Sequence, residues 1–237
     1  MPIVTIGQQI GSGPRLAPVV AEQLGVPCYD DEIVTRAARR AGCSVASFRK
    51  MDERPPSMLS YLIEVMGVYG DTYRQWAPYA PLMIRPPTLE RLVSSRRAKE
   101  AIEETIRAIA ATGKAIIVGR GSQVILRGRP QAVHVRVTAP MEHRVTEVMR
   151  LHRLDRTTAR NIVLKDDRRK AGYLKAYYGA DLNDSRLYDL TVNTAILSPA
   201  QAVSLVTGAL RGLEERGEGV SGEGVQPKKG VVHGISA

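Results

Sequence analysis

Residues 2–24, PIVTIGQQIGSGPRLAPVVAEQL, decide how the rest of the chain is read. Residues 3–6 are a short apolar run of strand character. Residues 7–13 are a glycine-rich turn. An apolar-periodic helix follows and ends near Gly25. Strand, glycine turn and helix in that order build an anion site: successive backbone N–H groups point into the turn, and the helix N-terminus adds partial positive charge. A nucleotide phosphate is the natural guest. The plain alternative is a glycine-rich turn with no ligand.

The stretch departs from the phosphate-loop pattern GxxxxGK followed by Ser or Thr. With Gly13 as the second glycine, the first falls on Gln8, the lysine on Pro14 and the hydroxyl on Arg15. The backbone cradle is kept, while the ammonium for the terminal phosphates and the hydroxyl for magnesium are lost. Pro14 suits a first helical turn. Pro18 is expected to distort that turn by removing a helical bond.

The chain has 237 residues, enough for one sizeable α/β domain, or one domain with a helical insertion. No apolar run is long enough to span a bilayer and the first residues lack a signal-peptide layout, so a cytoplasmic protein is expected. Cys28 and Cys43 are too few and too irregularly spaced for a disulfide framework or zinc site. Lys and Arg number 34 against 24 Asp and Glu, a net charge of +10. That surplus favours anionic partners. Its arginines cluster in a few segments, which points to a phosphate-lined cleft.

Further along, VPCYDD reads as a second strand, and Asp30 is placed to cap the helix after it, whose buried stripe is Ile33, Ala37, Ala38 and Ala41. A short helix capped by Ser44 follows. Residues 57–81 hold the only Trp and read as broken helix, an aromatic wall beside a site or a packed insertion. A long helix over 88–112 leads to the strand 114–119, which ends in Gly119, Arg120 and Gly121. Residues 132–139 alternate as a strand, Pro140 opens a helix, and 155–179 is a basic helix with Arg156, Arg160, Asp167 and Lys170 on one side. Residues 188–194 form a last strand. Ser198, Pro199 and Gln201 start a final helix reaching about residue 216, and the glycine-rich residues 217–237 are expected to be disordered.

Strands near residues 3, 27, 116, 134 and 190 with helices between them specify a five-stranded parallel sheet with helices on both faces. Ligands bind outside the carboxyl ends of such strands. Those ends carry residues 7–13, Asp30 and Asp31, residues 119–121, and Asn193.

IGSG after the first strand, YDDEI after the second, VGRG after the third, an arginine-rich helix and YDLTVNT together resemble the cytidylate kinase-like family of P-loop nucleoside monophosphate kinases, over about residues 2–212. The resemblance implies a P-loop kinase core (1–216), a helical acceptor-binding insertion at about 44–87, an arginine-bearing lid at about 151–187, ATP and magnesium, and transfer of the terminal phosphoryl group of ATP to CMP, dCMP or a related small acceptor. Carried over by position, Gly11, Ser12 and Gly13 would hold the donor phosphates, with Arg15 substituting for the lost lysine. Asp30, Asp31 and Arg36 would bind the acceptor. Arg120 matches the arginine of a GRD motif that grips the acceptor phosphate, with Gly121 in place of its aspartate. Arg153, Arg168 and Arg169 fall in the lid. Asp189 reads as structural, as do His134, His143 and His152. A binding module of the same fold without turnover is the competing reading. A nucleic-acid binder is a third, disfavoured because the arginine segments hold few stacking aromatics.

Overall fold

Ile3, Val4, Thr5 and Ile6 alternate between two faces of one strand, and all four are buried. A strand buried on both sides belongs in the middle of a layered sheet. The computed structural model describes residues 3–52 and 89–219. Its elements are β1 (Ile3–Gln8), α1 (Leu16–Leu24), β2 (Cys28–Tyr29), α2 (Asp31–Arg40), α3 (Val45–Asp52), α4 (Leu89–Ala111), β3 (Ala115–Val118), α5 (Ser122–Ile125), β4 (Ala132–Thr138), α6 (Met141–His152), α7 (Arg156–Tyr178), β5 (Leu190–Asn193) and α8 (Pro199–Gly219). The expectations for residues 57–81, for most of the 44–87 insertion and for residues 220–237 lie outside the described residues.

The strands form one sheet in the order β2-β3-β1-β4-β5, and each pairing is parallel. The expected five-stranded parallel sheet is thus the observed one. Ile3 stands beside Ala115 and Val4 beside Ile116. One face therefore collects Ile3, Ala115 and Ile117 with Ile33, Ala37, Phe48, Ile102 and Ile106 from α2, α3 and α4. The other collects Val4, Ile6, Ile116, Val135 and Val192 with Leu16 and Val20 of α1 and Val206 of α8. Each large aliphatic group buried this way contributes about 1.5–3 kcal/mol. Asp189 fastens the outer pair: its carboxylate accepts from the His134 N–H at 2.8 Å, and its own N–H donates to the His134 carbonyl at 2.8 Å.

Three local readings change. Asp30 occupies the N-cap position of α2, but its side chain makes no cap bond and pairs with Arg15 instead. Pro18 falls within the first turn of α1, which starts at Leu16, so its missing N–H has no intrahelical acceptor to lose. Ala41 lies just past α2 and is exposed, and Val34 takes the fourth place in the buried stripe. The Ser198 and Gln201 capping box forms as read, with reciprocal bonds at 3.3 and 2.9 Å.

A smaller apolar cluster joins α6 and α7. Val145, Val148, Ala159 and Val163 are buried together, and Ile10 from the loop after β1 packs against them. Beneath it, Arg144 makes a bidentate pair with Asp167 at 2.9 and 2.6 Å. Arg156 and Arg160 both reach Glu142. The side shared by Arg156, Arg160 and Asp167 is therefore the side of α7 that faces α6. No helix among the described residues is long and apolar enough to cross a membrane.

Candidate active site

The loop between β1 and α1 is shaped by its own side chains. Gln8 lies in β1 with ordinary backbone angles, so no glycine is needed there. Its amide nitrogen donates to the carbonyls of Gly13 (3.3 Å) and Pro14 (2.9 Å), and its oxygen accepts from the Leu16 N–H at 3.1 Å. One side chain thereby closes the loop across its mouth. Ser12 is fully buried, and its hydroxyl donates to the Gln9 carbonyl at 2.6 Å. Thr194, after β5, donates to the Ser12 carbonyl at 2.7 Å.

Gly11 and Gly13 both sit at positive φ, 76° and 85°. At Gly11 a side chain is doubly excluded, since a Cβ would stand 2.4 Å from the Arg144 carbonyl oxygen. The N–H groups of Gly11, Gly13 and Arg15 donate to no group among the described residues. Unsatisfied N–H groups around a glycine turn at a helix start are an anion cradle.

The cradle opens into a cleft of about 1070 Å³ along the carboxyl edge of the sheet. Gly11, Gly13 and Arg15 line it from the first loop, Asp30 and Asp31 from beyond β2, residues 119–121 from beyond β3, and Asp166, Arg169 and Lys170 from α7. The topology explains this convergence: parallel strands deliver every following loop to one edge.

Beyond β3, Gly119, Arg120 and Gly121 are three successive residues with φ of 67°, 54° and 72°. Left-handed geometry at a non-glycine residue costs on the order of 1–3 kcal/mol and persists only where its surroundings impose it. The Arg120 guanidinium pairs with Asp52, whose side chain is only 2% exposed. Tyr173 donates to the same carboxylate at 3.2 Å. Burial, with Asp52 adding to it, raises the Tyr173 phenol well above its usual range, so it stays a donor. Arg49 of α3 pairs with Asp31 at 3.2 Å. Arg15 pairs with Asp30 at 3.0 Å and is 78% exposed. Burial pushes the nearby Cys28 thiol up, Asp30 adds to the rise and Arg15 opposes it.

Of the residues singled out from sequence, Gly11, Gly13, Arg15, Asp30, Asp31, Arg120 and Arg169 line this cleft. Ser12 is turned into the loop, and Arg36 bonds Glu32 while stacking on Tyr29. Arg153 and Arg168 are exposed and outside the lining. Sequence reading missed Gln8, Arg49, Gln123, Arg136 and Tyr173, which also line the cleft, and Asp52, which pairs with Arg120. For Lys170 a signal existed, its place on the same side of α7 as Arg156, Arg160 and Asp167.

The model of the cytidylate kinase-like family matches residues 3–196. A cytidylate kinase of Methanopyrus kandleri is 25% identical over 224 residues, covering 90% of this chain and 95% of that protein. The crystal structure of an uncharacterised protein from Eubacterium ventriosum superposes with a TM-score of 0.60 at 19% identity, covering 89% of this chain and 98% of the other. A shikimate kinase from Aquifex aeolicus is 13% identical, covers 89% and 96%, and gives a TM-score of 0.41.

Proposed function

The chain belongs to the cytidylate kinase-like family, and on that premise we propose that it transfers the terminal phosphoryl group of ATP to a nucleoside monophosphate or a related small acceptor. One observation carries the reading: the glycine cradle, Arg120 and the cations of α7 line a single cleft. Phosphoryl transfer asks little covalent chemistry of a protein. It asks that two anions be held in line while donors neutralise the charge that develops between them.

In this reading Gly11 and Gly13 hold the donor phosphates through their N–H groups. Arg120 grips the acceptor phosphate, with Asp30 and Asp31 toward the acceptor and Arg169 facing it from α7, while Arg36, Arg153 and Arg168 stand outside the cleft lining. An acceptor phosphate oxygen attacks the terminal phosphorus. The new P–O bond forms as the bond to the bridging oxygen breaks, and ADP leaves with that electron pair. The attacking oxygen is already anionic, so no base is required.

The family also implies magnesium. Position 15 is arginine where the loop hydroxyl would stand, and among the described residues no group of three or more His, Cys, Asp or Glu side chains could hold a metal ion. The described residues thus offer no all-protein magnesium cage; an ion carried in on the nucleotide phosphates needs only one or two carboxylates, and Asp30, Asp31 and Asp166 line the cleft.

A coupled assay with ATP, magnesium and a panel of nucleoside monophosphates tests the reading. Turnover with at least one acceptor is expected. No turnover, together with no calorimetric binding of any nucleotide, would refute it. Binding without turnover would select a second reading, a nucleotide-binding module, which Pro14 in the lysine position and the Arg15–Asp30 pair favour.

A further inference from the structure

The first loop has no lysine of its own, yet an ammonium stands against it. Lys170 Nζ donates to the Gln8 carbonyl at 2.7 Å, across 162 residues of sequence. The same nitrogen lies 2.8 Å from Asp166 Oδ2, one turn earlier on α7. Lys170, Asp166, Gly11 and Gly13 line the same cleft. We propose that Lys170 supplies the cation missing from the phosphate loop, contacting the terminal phosphates of the donor from α7.

Three observations carry this assignment. First, the ammonium has three N–H groups; one donates to the Gln8 carbonyl, and Asp166 pairs with its charge at 2.8 Å. Donor capacity therefore remains for a phosphate in the cleft that Lys170, Gly11 and Gly13 line together. Second, the helix that carries Lys170 is anchored. Asp167, three residues before it, forms the bidentate pair with buried Arg144, and the Arg144 carbonyl abuts Gly11. Loop and lysine are thereby held in register, which is what electrostatic stabilisation requires of a donor. Third, the other candidate is committed elsewhere. Arg15, expected from sequence to replace the lysine, is mostly exposed and turned to Asp30. Lys170 is only 34% exposed on its side chain.

Asp166 supports the arrangement. Burial pushes its carboxyl up, but Lys170 and then Arg169 outweigh this and hold it below its ordinary value. It remains a counter-ion that holds the lysine head beside the helix.

The inference rests on the donor reading above. The test compares wild type, Lys170→Ala, Lys170→Met and Lys170→Arg by calorimetry with ATP and with AMP, by turnover with the best acceptor, and by thermal unfolding. Expected for the Ala and Met variants are kcat lower by about 100-fold or more, ATP affinity lower by about tenfold or more, and AMP affinity within about twofold of wild type. Lys170→Arg should recover part of both losses. Unchanged kcat and ATP affinity in the Ala and Met variants would overturn the assignment while leaving the donor reading intact. Equal loss of ATP and AMP affinity would also overturn it, because that marks a role in shaping the loop. A wild-type protein that binds no ATP would remove the donor reading and this assignment together.

Discussion

The ring of Tyr178 fills the space that a side chain at residue 121 would need. A Cβ built on Gly121 would stand 2.5 Å from Tyr178 Cε2 and 3.1 Å from Cδ2. In the resembled GRD motif an aspartate follows the arginine. Here the last turn of α7 delivers a tyrosine to that place, and only glycine fits beneath it. Tyr178 belongs to a trio with Tyr173 and Tyr177, their ring centroids 4.8–6.4 Å apart. The trio ties the end of α7 to the Arg120 turn.

Gly121→Ala should therefore destabilise the fold by about 2 kcal/mol or more, combining a strained positive φ with overpacking. In a Tyr178→Ala background the overpacking part should vanish, returning about 1 kcal/mol of that cost. A double-mutant cycle by urea unfolding checks this. Strict additivity would mean that the ring yields freely.

Arg144 and Asp167 form a bidentate pair in which the arginine side chain is only 4% exposed. Removing one partner leaves the other poorly solvated. Arg144→Ala should cost about 3 kcal/mol, and replacing both residues by apolar ones should restore much of it. Because the Arg144 backbone abuts Gly11, the single variant should also weaken ATP binding. Denaturant unfolding and calorimetry on the same samples measure both effects.

Arg120→Ala should lower turnover by about 100-fold or more, since a group that stabilises the transferring phosphoryl is worth that much. Arg120→Lys should recover little, because a compact ammonium does not reproduce a planar fork at a phosphate. Initial rates over a range of acceptor concentrations separate kcat from KM. Full activity of Arg120→Ala would remove this arginine from the site.

His134 gives a pH dependence with a definite sign. Burial lowers its pKa below the ordinary 6.5, against an opposing pull from Asp189, and its Nδ1 lies 2.8 Å from Thr5 Oγ1 in a hydrogen bond. Below pH 6.5 the unfolded chain binds a proton that the folded chain resists. Stability from this group is therefore full above pH 6.5 and is lost as pH falls toward the lowered folded value. Urea midpoints between pH 7.5 and 5.5 should fall more steeply for wild type than for His134→Gln. Parallel slopes would show that His134 titrates alike in both states.

The elements themselves were legible because each carries a local signature. A short apolar run marks Ile3 to Ile6, alternation marks residues 132–139, helical spacing marks Ala98, Ile102, Ile106 and Ile109, and the Ser198 cap marks a start. Adding βα alternation is enough for a parallel sheet and for the edge where its loops gather. The site's inner wiring was not legible, and the reasons are specific. Asp30 has the sequence of a cap, but an arginine fifteen residues earlier offers its side chain a charged partner. Ser12 sits in a glycine run like a phosphate ligand, yet its hydroxyl closes a turn on Gln9.

By itself, then, the order of apolar and glycine residues determined five strands, their parallel direction and a glycine turn suited to an anion. Those properties depend on neighbours a few positions apart, where periodicity and backbone freedom act. Tertiary structure alone decided that Asp52 would hold Arg120 and that Lys170 would reach Gln8. Those contacts join residues 68 and 162 positions apart. No local preference encodes such a pairing; it exists only once sheet order and the α6–α7 hairpin bring the two charges or dipoles within a few ångströms.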